Sequence, residues 1–367
     1  MDKGCVMRLS CLFAISVALA ATFLASQATA QYVPLYSPEE IAIDDSGNLY
    51  VIQGQGSVVD EGIYVYAPDG RKIKSYLAHQ IGEYGDIAAD YAGNVYVYDA
   101  ADRCVARIEK NGSFSTVWHE DLPNRSIACT GTGLDGNLYV SDFNYSNGVS
   151  DIRILKLSTN GTVLDVIKGT LSMPFVSPMR VSASPNGTMY LAGNSRSIRV
   201  IYPDGGRDVI LHTTPDNDTF NLVVDVVVGR DGYLYVGEHS NGRVEKLAPD
   251  GTLVARWDGC GSDCYIYAYS LAVDDTGRVY VTDRDNQRVV WFDSNKYRYG
   301  ENATENMAGR GILWDNVIVG DNYSTANQLM KLEAGDRSEM PGFTGLAACA
   351  CIGLAFMALC LRKAGRD

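Results

Sequence analysis

The chain has 367 residues, with 31 basic and 44 acidic side chains and a formal net charge of −13. That length can bury one large core, and the acidic balance repels phosphate backbones, which excludes nucleic acid as a partner. None of the nine cysteines forms a C-x-x-C pair, so a zinc ribbon is excluded as well.

In chain order, residues 1–30 read as a secretory signal peptide. Lys3 and Arg8 make a basic start, Leu9 to Ala25 is apolar, and Ala28-Thr29-Ala30 offers a cleavage site before Gln31. Residues 31–320 form the body, 321–340 a short linker, and 341–367 a terminal sorting or membrane segment. In that segment Gly345 to Leu361 is uncharged and Arg362, Lys363 and Arg366 follow. This is the pattern of a short spanning helix with its basic end in the cytoplasm. Without the two ends the body keeps 31 − 5 = 26 basic and 44 − 2 = 42 acidic residues, a net of −16. The expected location is the outer face of the cell membrane, with the tail as the membrane link.

Within the body one skeleton recurs: an apolar strand, a turn closed by glycine, and a tyrosine three residues later. The glycines are Gly47, Gly93, Gly136, Gly187, Gly232 and Gly277, spaced 46, 43, 51, 45 and 45 residues apart, and the tyrosines are Tyr50, Tyr96, Tyr139, Tyr190, Tyr235 and Tyr280. A repeat of this length built from short strands predicts an all-β, six-bladed β-propeller. The first strand of each blade, nearest the axis, reads Ile41-Ala42-Ile43, Ile87-Ala88-Ala89, Ile127-Ala128-Cys129, Val181-Ser182-Ala183, Val226-Val227-Val228 and Leu271-Ala272-Val273. A small middle residue suits the place where blades converge. The one-per-blade tyrosines read as packing between blades. Asp44, Asp90 and Asp274 read as turn acids. Asp142, Glu238 and Asp283, paired with Arg153, Arg243 and Arg288, read as carboxylate–guanidinium clamps. Hairpin dipeptides such as Asp69-Gly70 and Asn160-Gly161 lead to the outer strand in five blades. The sixth lacks one, so Ile312 to Val319 or the segment around Tyr32 to Tyr36 must complete it and close the ring.

Tyr280-Val281-Thr282-Asp283, Asn286-Gln287-Arg288-Val289 and Phe292-Asp293 resemble the NHL repeat of six-bladed propellers, and Tyr235 to Gly251 follows the same plan. The resemblance spans roughly Glu39 to Asp293 and implies the fold. NHL propellers serve as enzymes, receptors and scaffolds alike, so it leaves function open. The tail, with Pro341-Gly342-Phe343 before its apolar segment and basic end, resembles the sorting signal of archaeal surface proteins processed by archaeosortase. That resemblance implies cleavage near the motif and lipid attachment, although the Thr-rich stalk usual before it is missing.

The residues taken to precede the six inner strands are Glu40, Asp86, Ser126, Arg180, Asp225 and Ser270. Glu40, Asp86 and Asp225 could hold Ca²⁺, which wants oxygen ligands; with Arg180 they mark the expected ligand-binding mouth. His79, His119, His212 and His239 fall in connecting regions at unequal offsets, unlike the convergent set a catalytic zinc needs. Asn111, Asn124, Asn144, Asn160, Asn186, Asn217, Asn302 and Asn322 begin N-x-[Ser/Thr] sequons. Cys260 and Cys264 could form a disulfide, whereas Cys104 and Cys129 read as buried thiols. The expected function is a glycosylated binding module for a protein, glycan or small ligand at the acidic channel mouth. The alternatives are a metal-dependent lyase or lactonase and a structural envelope component.

Overall fold

The computed structural model describes Leu35 to Asn295, apart from residues 36, 55–60, 78–83, 91, 110, 123, 147–148, 170–179, 211–218, 259–265, and two later strands at 310–314 and 317–320. The expected signal peptide, linker, tail, Cys260–Cys264 pair, His79 and His212, and Asn217, Asn302 and Asn322 lie outside the described residues.

The strands form six antiparallel sheets, each built from consecutive strands. Blade one holds β1 (Pro38–Ile43), β2 (Leu49–Gln53), β3 (Gly62–Tyr66) and β4 (Lys72–Leu77). Blade two holds β5 (Tyr84–Ala89), β6 (Val95–Asp99), β7 (Cys104–Ile108) and β8 (Phe114–His119). Blade three holds β9 (Ser126–Thr132), β10 (Leu138–Ser146), β11 (Val149–Leu157) and β12 (Val163–Lys168). Blade four holds β13 (Arg180–Ala183), β14 (Met189–Ala192), β15 (Ile198–Ile201) and β16 (Arg207–Ile210). Blade five holds β17 (Val223–Val228), β18 (Leu234–Glu238), β19 (Arg243–Leu247) and β20 (Leu253–Asp258). Blade six holds β21 (Ala268–Val273), β22 (Arg278–Asp283), β23 (Arg288–Asp293), β24 (Arg310–Trp314) and β25 (Val317–Gly320).

Strand register explains the repeated tyrosine. Tyr50, Tyr96, Tyr139, Tyr190, Tyr235 and Tyr280 stand opposite Ala42, Ala88, Gly131, Ser182, Val227 and Ala272. Each tyrosine therefore lies eight residues beyond its inner-strand partner. Five of the six tyrosine hydroxyls donate to a turn aspartate, as Tyr96 does to Asp90 at 3.0 Å and Tyr235 to Asp231 at 2.7 Å. Burial and this carboxylate together hold the Tyr96 and Tyr235 phenols protonated.

The same register corrects the inner strand expected in blade three. Thr130-Gly131-Thr132, not Ile127-Ala128-Cys129, stands at the axis, and Cys129 replaces Ser126 as the residue preceding it. This blade has the longest hairpin, with β10 and β11 paired from Leu138 to Ser146, and its axial triplet is polar, so the apolar triplet lies three residues earlier. Gly131 marks the close approach of blades, since a Cβ there would lie 2.3 Å from the Val181 carbonyl oxygen of blade four.

The expected clamps form in three blades. Arg153 Nε lies 2.9 Å from Asp142, Arg243 Nε 2.5 Å from Glu238 and Arg288 Nε 2.6 Å from Asp283, all three carboxylates being buried. Two guanidinium groups converge in blade three, where Arg125 also donates to Asp142 at 2.8 Å.

Blade six is completed by β24, as the Ile312 to Val319 alternative requires, and β25 extends it. The C-terminal segment thus supplies the outer strand of blade six, and among the described strands blades one and six share no sheet. Their seam is side-chain packing: Leu35, Ile41, Tyr64 and Tyr66 meet Ala272, Tyr280, Val289 and Trp291. Thr282 Oγ1 donates to the Glu39 carbonyl at 2.9 Å, and Arg284 pairs with Glu39 at 3.2 Å. An apolar seam needs no exchanged strand because the inner strands already present side chains across it.

The close approach at Gly131 yields a test. Gly131→Ala should lower stability by about 1–3 kcal/mol through overpacking against a backbone carbonyl, measured by urea unfolding. A loss below about 0.5 kcal/mol, the usual range for surface changes, would show that blades three and four do not meet there.

Candidate functional site

Ten residues before each register tyrosine lies one ring position: Glu40, Asp86, Cys129, Arg180, Asp225 and Ser270, one per blade. The ring thus contains the four predicted site residues, plus Cys129, which the apolar pattern hid. Glu40, Asp86 and Asp225 are each 5% exposed or less.

Arg180 gathers the carboxylates. Its guanidinium Nη2 donates to Glu40 Oε1, and Nη1 lies 3.7 Å from Asp86 Oδ1. Blade four stands across a six-membered ring from blade one, so this side chain reaches over the channel. Burial works against the Arg180 charge, but Glu40, Asp225 and Asp86 together raise its pKa well above the ordinary value. Burial, then the Glu40 charge, pushes the Asp86 carboxyl well above the usual carboxylate range. Burial raises Asp225 too, against the opposing pull of Arg180 and the Leu271 amide. The Cys129 thiol is likewise driven up, by burial and then by Asp86, and so is held as a thiol rather than a thiolate.

Two of the carboxylates are already occupied by backbone. Asp86 accepts from its neighbour Ile87 N at 2.8 Å and from Thr130 N of blade three at 2.7 Å. Asp225 accepts from Val226 N at 2.8 Å and from Leu271 N of blade six at 2.8 Å. Each aspartate therefore staples its blade to the next. Ser182 does the same, accepting from Val228 N at 3.0 Å. Glu40 is different, for its Oε2 is buried and has no hydrogen-bond partner among the described residues.

The expected calcium set of Glu40, Asp86 and Asp225 converges on the Arg180 guanidinium. Among the described residues, no group of three or more His, Cys, Asp or Glu side chains stands where it could share a metal ion. The two described histidines are far apart in the chain and engaged separately. His119 is exposed and contacts Asp121 at 3.1 Å, and His239 packs on Tyr267 with ring centroids 5.6 Å apart. Asn111, Asn124, Asn160 and Asn186 are exposed, and Asn144 is half-buried.

From the ring, a cavity of about 110 Å³ runs along the axis to the turns between first and second strands. Arg180, Asp225 and Ser270 line its inner end, and Asp44, Asp45, Asp90, Asp274, Asp275 and Arg230 its outer end. The wall between mixes polar and apolar groups, with Thr130, Thr132 and Ser182 beside Ile43, Ala89, Val228 and Val273. On the other side of the ring, Tyr269 lies between Arg180 and Arg284, whose guanidinium carbons are 6.0 and 5.1 Å from its ring centroid.

Residues 269–292, which carry Tyr269, the ring position Ser270 and the blade-six clamp, match the family model of the NHL repeat. This stretch is an NHL repeat. No curated protein matches the chain in sequence. Solved structures match in fold over most of the length. One is a virginiamycin B lyase from Staphylococcus aureus, 15% identical, covering 78% of this chain and 96% of its own, at a TM-score of 0.51. Another is a gluconolactonase from Xanthomonas campestris, 16% identical, covering 71% and 86%, at 0.52. A third is an auxiliary nutrient binding protein from Bacteroides thetaiotaomicron, 10% identical, covering 70% and 68%, at 0.51. At these identities the likeness is one of fold, and it joins the NHL repeat to the propeller architecture.

The raised Asp86 carboxyl gives a signed pH dependence. A group whose folded pKa lies above its unfolded value stabilises fully below the unfolded value and loses that contribution as pH rises through the folded one. Asp86→Asn removes this titration and leaves a backbone amide facing the new NH₂ group, a cost of about 1–3 kcal/mol. The stability advantage of wild type over Asp86→Asn should therefore shrink as pH rises from about 4, the ordinary carboxylate value, towards 8. Urea unfolding across that range checks it, and an advantage that grows with pH would contradict it.

Proposed function

We propose that the protein is an exported, membrane-linked propeller that binds a ligand in its central channel rather than transforming one. The supporting observation is the ring at the inner end of the cavity: three buried carboxylates face one guanidinium, and Glu40 Oε2 has no partner. A concave cavity in which a few polar groups converge is a usual form of a small-molecule site. The acidic ring that the sequence assigns to ligand binding is thus adjacent to a cavity able to receive one.

Export rests on the two ends of the sequence, with the exposed sequons in accord. Mass spectrometry of the native protein should find an N-terminus near Gln31. A C-terminus near Pro341 would support sorting, and an intact Asp367 would support a plain single-span anchor. Recovery of the native chain with Met1 in place would overturn the export reading.

The second reading is a metal-dependent lyase or lactonase, favoured by the fold shared with virginiamycin B lyase and gluconolactonase. Calcium at Glu40, Asp86 and Asp225 would have to displace Arg180 from two of them. Metal analysis and a ligand screen separate the readings. The binding reading expects folded protein with substoichiometric metal, and a ligand whose binding is lost in Val227→Trp, which fills the cavity from its wall. Stoichiometric divalent metal that survives purification would favour the enzyme instead. Ligand binding that persists in a folded Val227→Trp variant would place the site outside the channel.

A further inference from the structure

Outside the channel, a groove of about 360 Å³ lies between blades three and four, where the outermost strand of one faces the last turn of the other. β12 supplies Asp165 to Lys168, and the turn from β15 to β16 supplies Tyr202, Pro203, Gly205 and Arg207. The chain is strongly acidic, yet among the residues lining this groove Lys156, Lys168 and Arg207 stand against one acid, Asp165. Lys156 is held by Asp135 at 2.8 Å, which leaves two cations facing that acid.

Arg207 carries the decisive observation. Its Nη2 donates to the Lys168 carbonyl at 2.9 Å and so bridges the two blades. Its Nη1 is buried and has no hydrogen-bond partner among the described residues. A buried donor without an acceptor is costly, and a guanidinium answers a carboxylate with strong, charge-assisted bonds. The rest of the groove is mixed in character. Tyr202 and Val166 are each 40% exposed beside the buried Met189 and Ile201, and Asp165 and Asn186 add exposed polar groups. The Val166 amide of this edge strand already donates to Asp165 Oδ1 at 2.7 Å, so an added peptide strand would first have to break that bond.

We propose that this groove binds a hexuronic acid, alone or within an acidic glycan, with its carboxylate at Arg207 and its ring against Tyr202. The site is separate from the channel and does not depend on the channel reading. A neutral sugar would leave Arg207 Nη1 without an acceptor, and an aliphatic acid would bring no hydroxyls to Asp165 and Asn186. A doubly charged phosphate exceeds the one net cation of the groove. A sugar ring offers an apolar face to the tyrosine and hydroxyls to the polar rim. Asn186 begins a sequon at that rim, so a sugar attached there would occupy the same space.

Calorimetric titration with glucuronate, glucose and cyclohexanecarboxylate tests this, on the purified protein and on Asn186→Gln, which removes any attached sugar. Glucuronate should bind one per chain, about ten-fold or more tighter than either of the other two. Arg207→Met should weaken glucuronate about ten-fold or more. Tyr202→Ala alters an exposed side chain, should weaken glucuronate several-fold, and keeps the test open if Arg207→Met fails to fold. Val227→Trp, which fills the channel, should leave glucuronate binding intact. Binding confined to Asn186→Gln protein would support the proposal, with a native sugar already seated in the groove. Glucuronate binding no tighter than either other probe, binding unchanged in folded Arg207→Met or Tyr202→Ala, or no saturable binding in either protein would overturn it. Loss of glucuronate binding in folded Val227→Trp would overturn it too, and would assign that ligand to the channel.

Discussion

Arg180 holds together charges that the chain delivers from three other blades. Glu40, Asp86 and Asp225 are buried where water cannot screen them, and their mutual repulsion would be severe without a cation among them. Their positions are not free to relax, because Asp86 and Asp225 also bind the backbone of the next blade. The guanidinium and the inter-blade staples are therefore one device: the carboxylates fix neighbouring inner strands, and Arg180 makes their burial tolerable. Burial, and then the Glu40 charge, raises the Asp86 carboxyl in spite of the opposing pull of Arg180.

This arrangement separates architecture from function among residues that look alike. Asp86 and Asp225 spend both oxygens on amides, so their replacement would disturb blade contacts before it disturbed a ligand. Glu40 keeps one oxygen without a partner, and it alone of the three carboxylates is poised to accept a new donor. The turn acids divide in the same way: Asp44, Asp90 and Asp274 are bound into their own turns, while Asp45 and Asp275 face outwards. Acidity at the mouth and rim is a property of many residues, but ligand chemistry falls to few of them. The propeller neighbours named as lyase, lactonase and nutrient binder share the frame, and the frame permits all three.

Much of the frame is legible in the sequence because each blade repeats one hairpin of constant length. The eight-residue offset from the inner strand to Tyr50, Tyr96 and Tyr280 is a consequence of that constant turn. Applied to Tyr139, the same count reaches Gly131 and so identifies Cys129 as a ring residue. An apolar triplet points instead to Ile127-Ala128-Cys129, since Thr130-Gly131-Thr132 is polar and its small centre answers to the Val181 carbonyl rather than to hydrophobicity. The convergence of Glu40, Asp86 and Asp225 was readable from their shared position. That Arg180 would bind Glu40 across the channel was not, because the contact joins residues 140 apart and depends on six blades closing the circle. Nor could the pattern tell which terminal segment completes blade six, for a strand at either terminus would satisfy the same sequence.

The most direct test of this account is the stability of Arg180→Met, measured by urea unfolding at pH 7 and again near pH 4.5. Methionine keeps much of the aliphatic volume but leaves three buried carboxylates without their cation. The account predicts a loss of about 3–5 kcal/mol at pH 7, as for a broken buried pair, much of it recovered near pH 4.5 as the carboxyls take up protons. A variant as stable as wild type at pH 7, or a deficit unchanged between the two pH values, would contradict it.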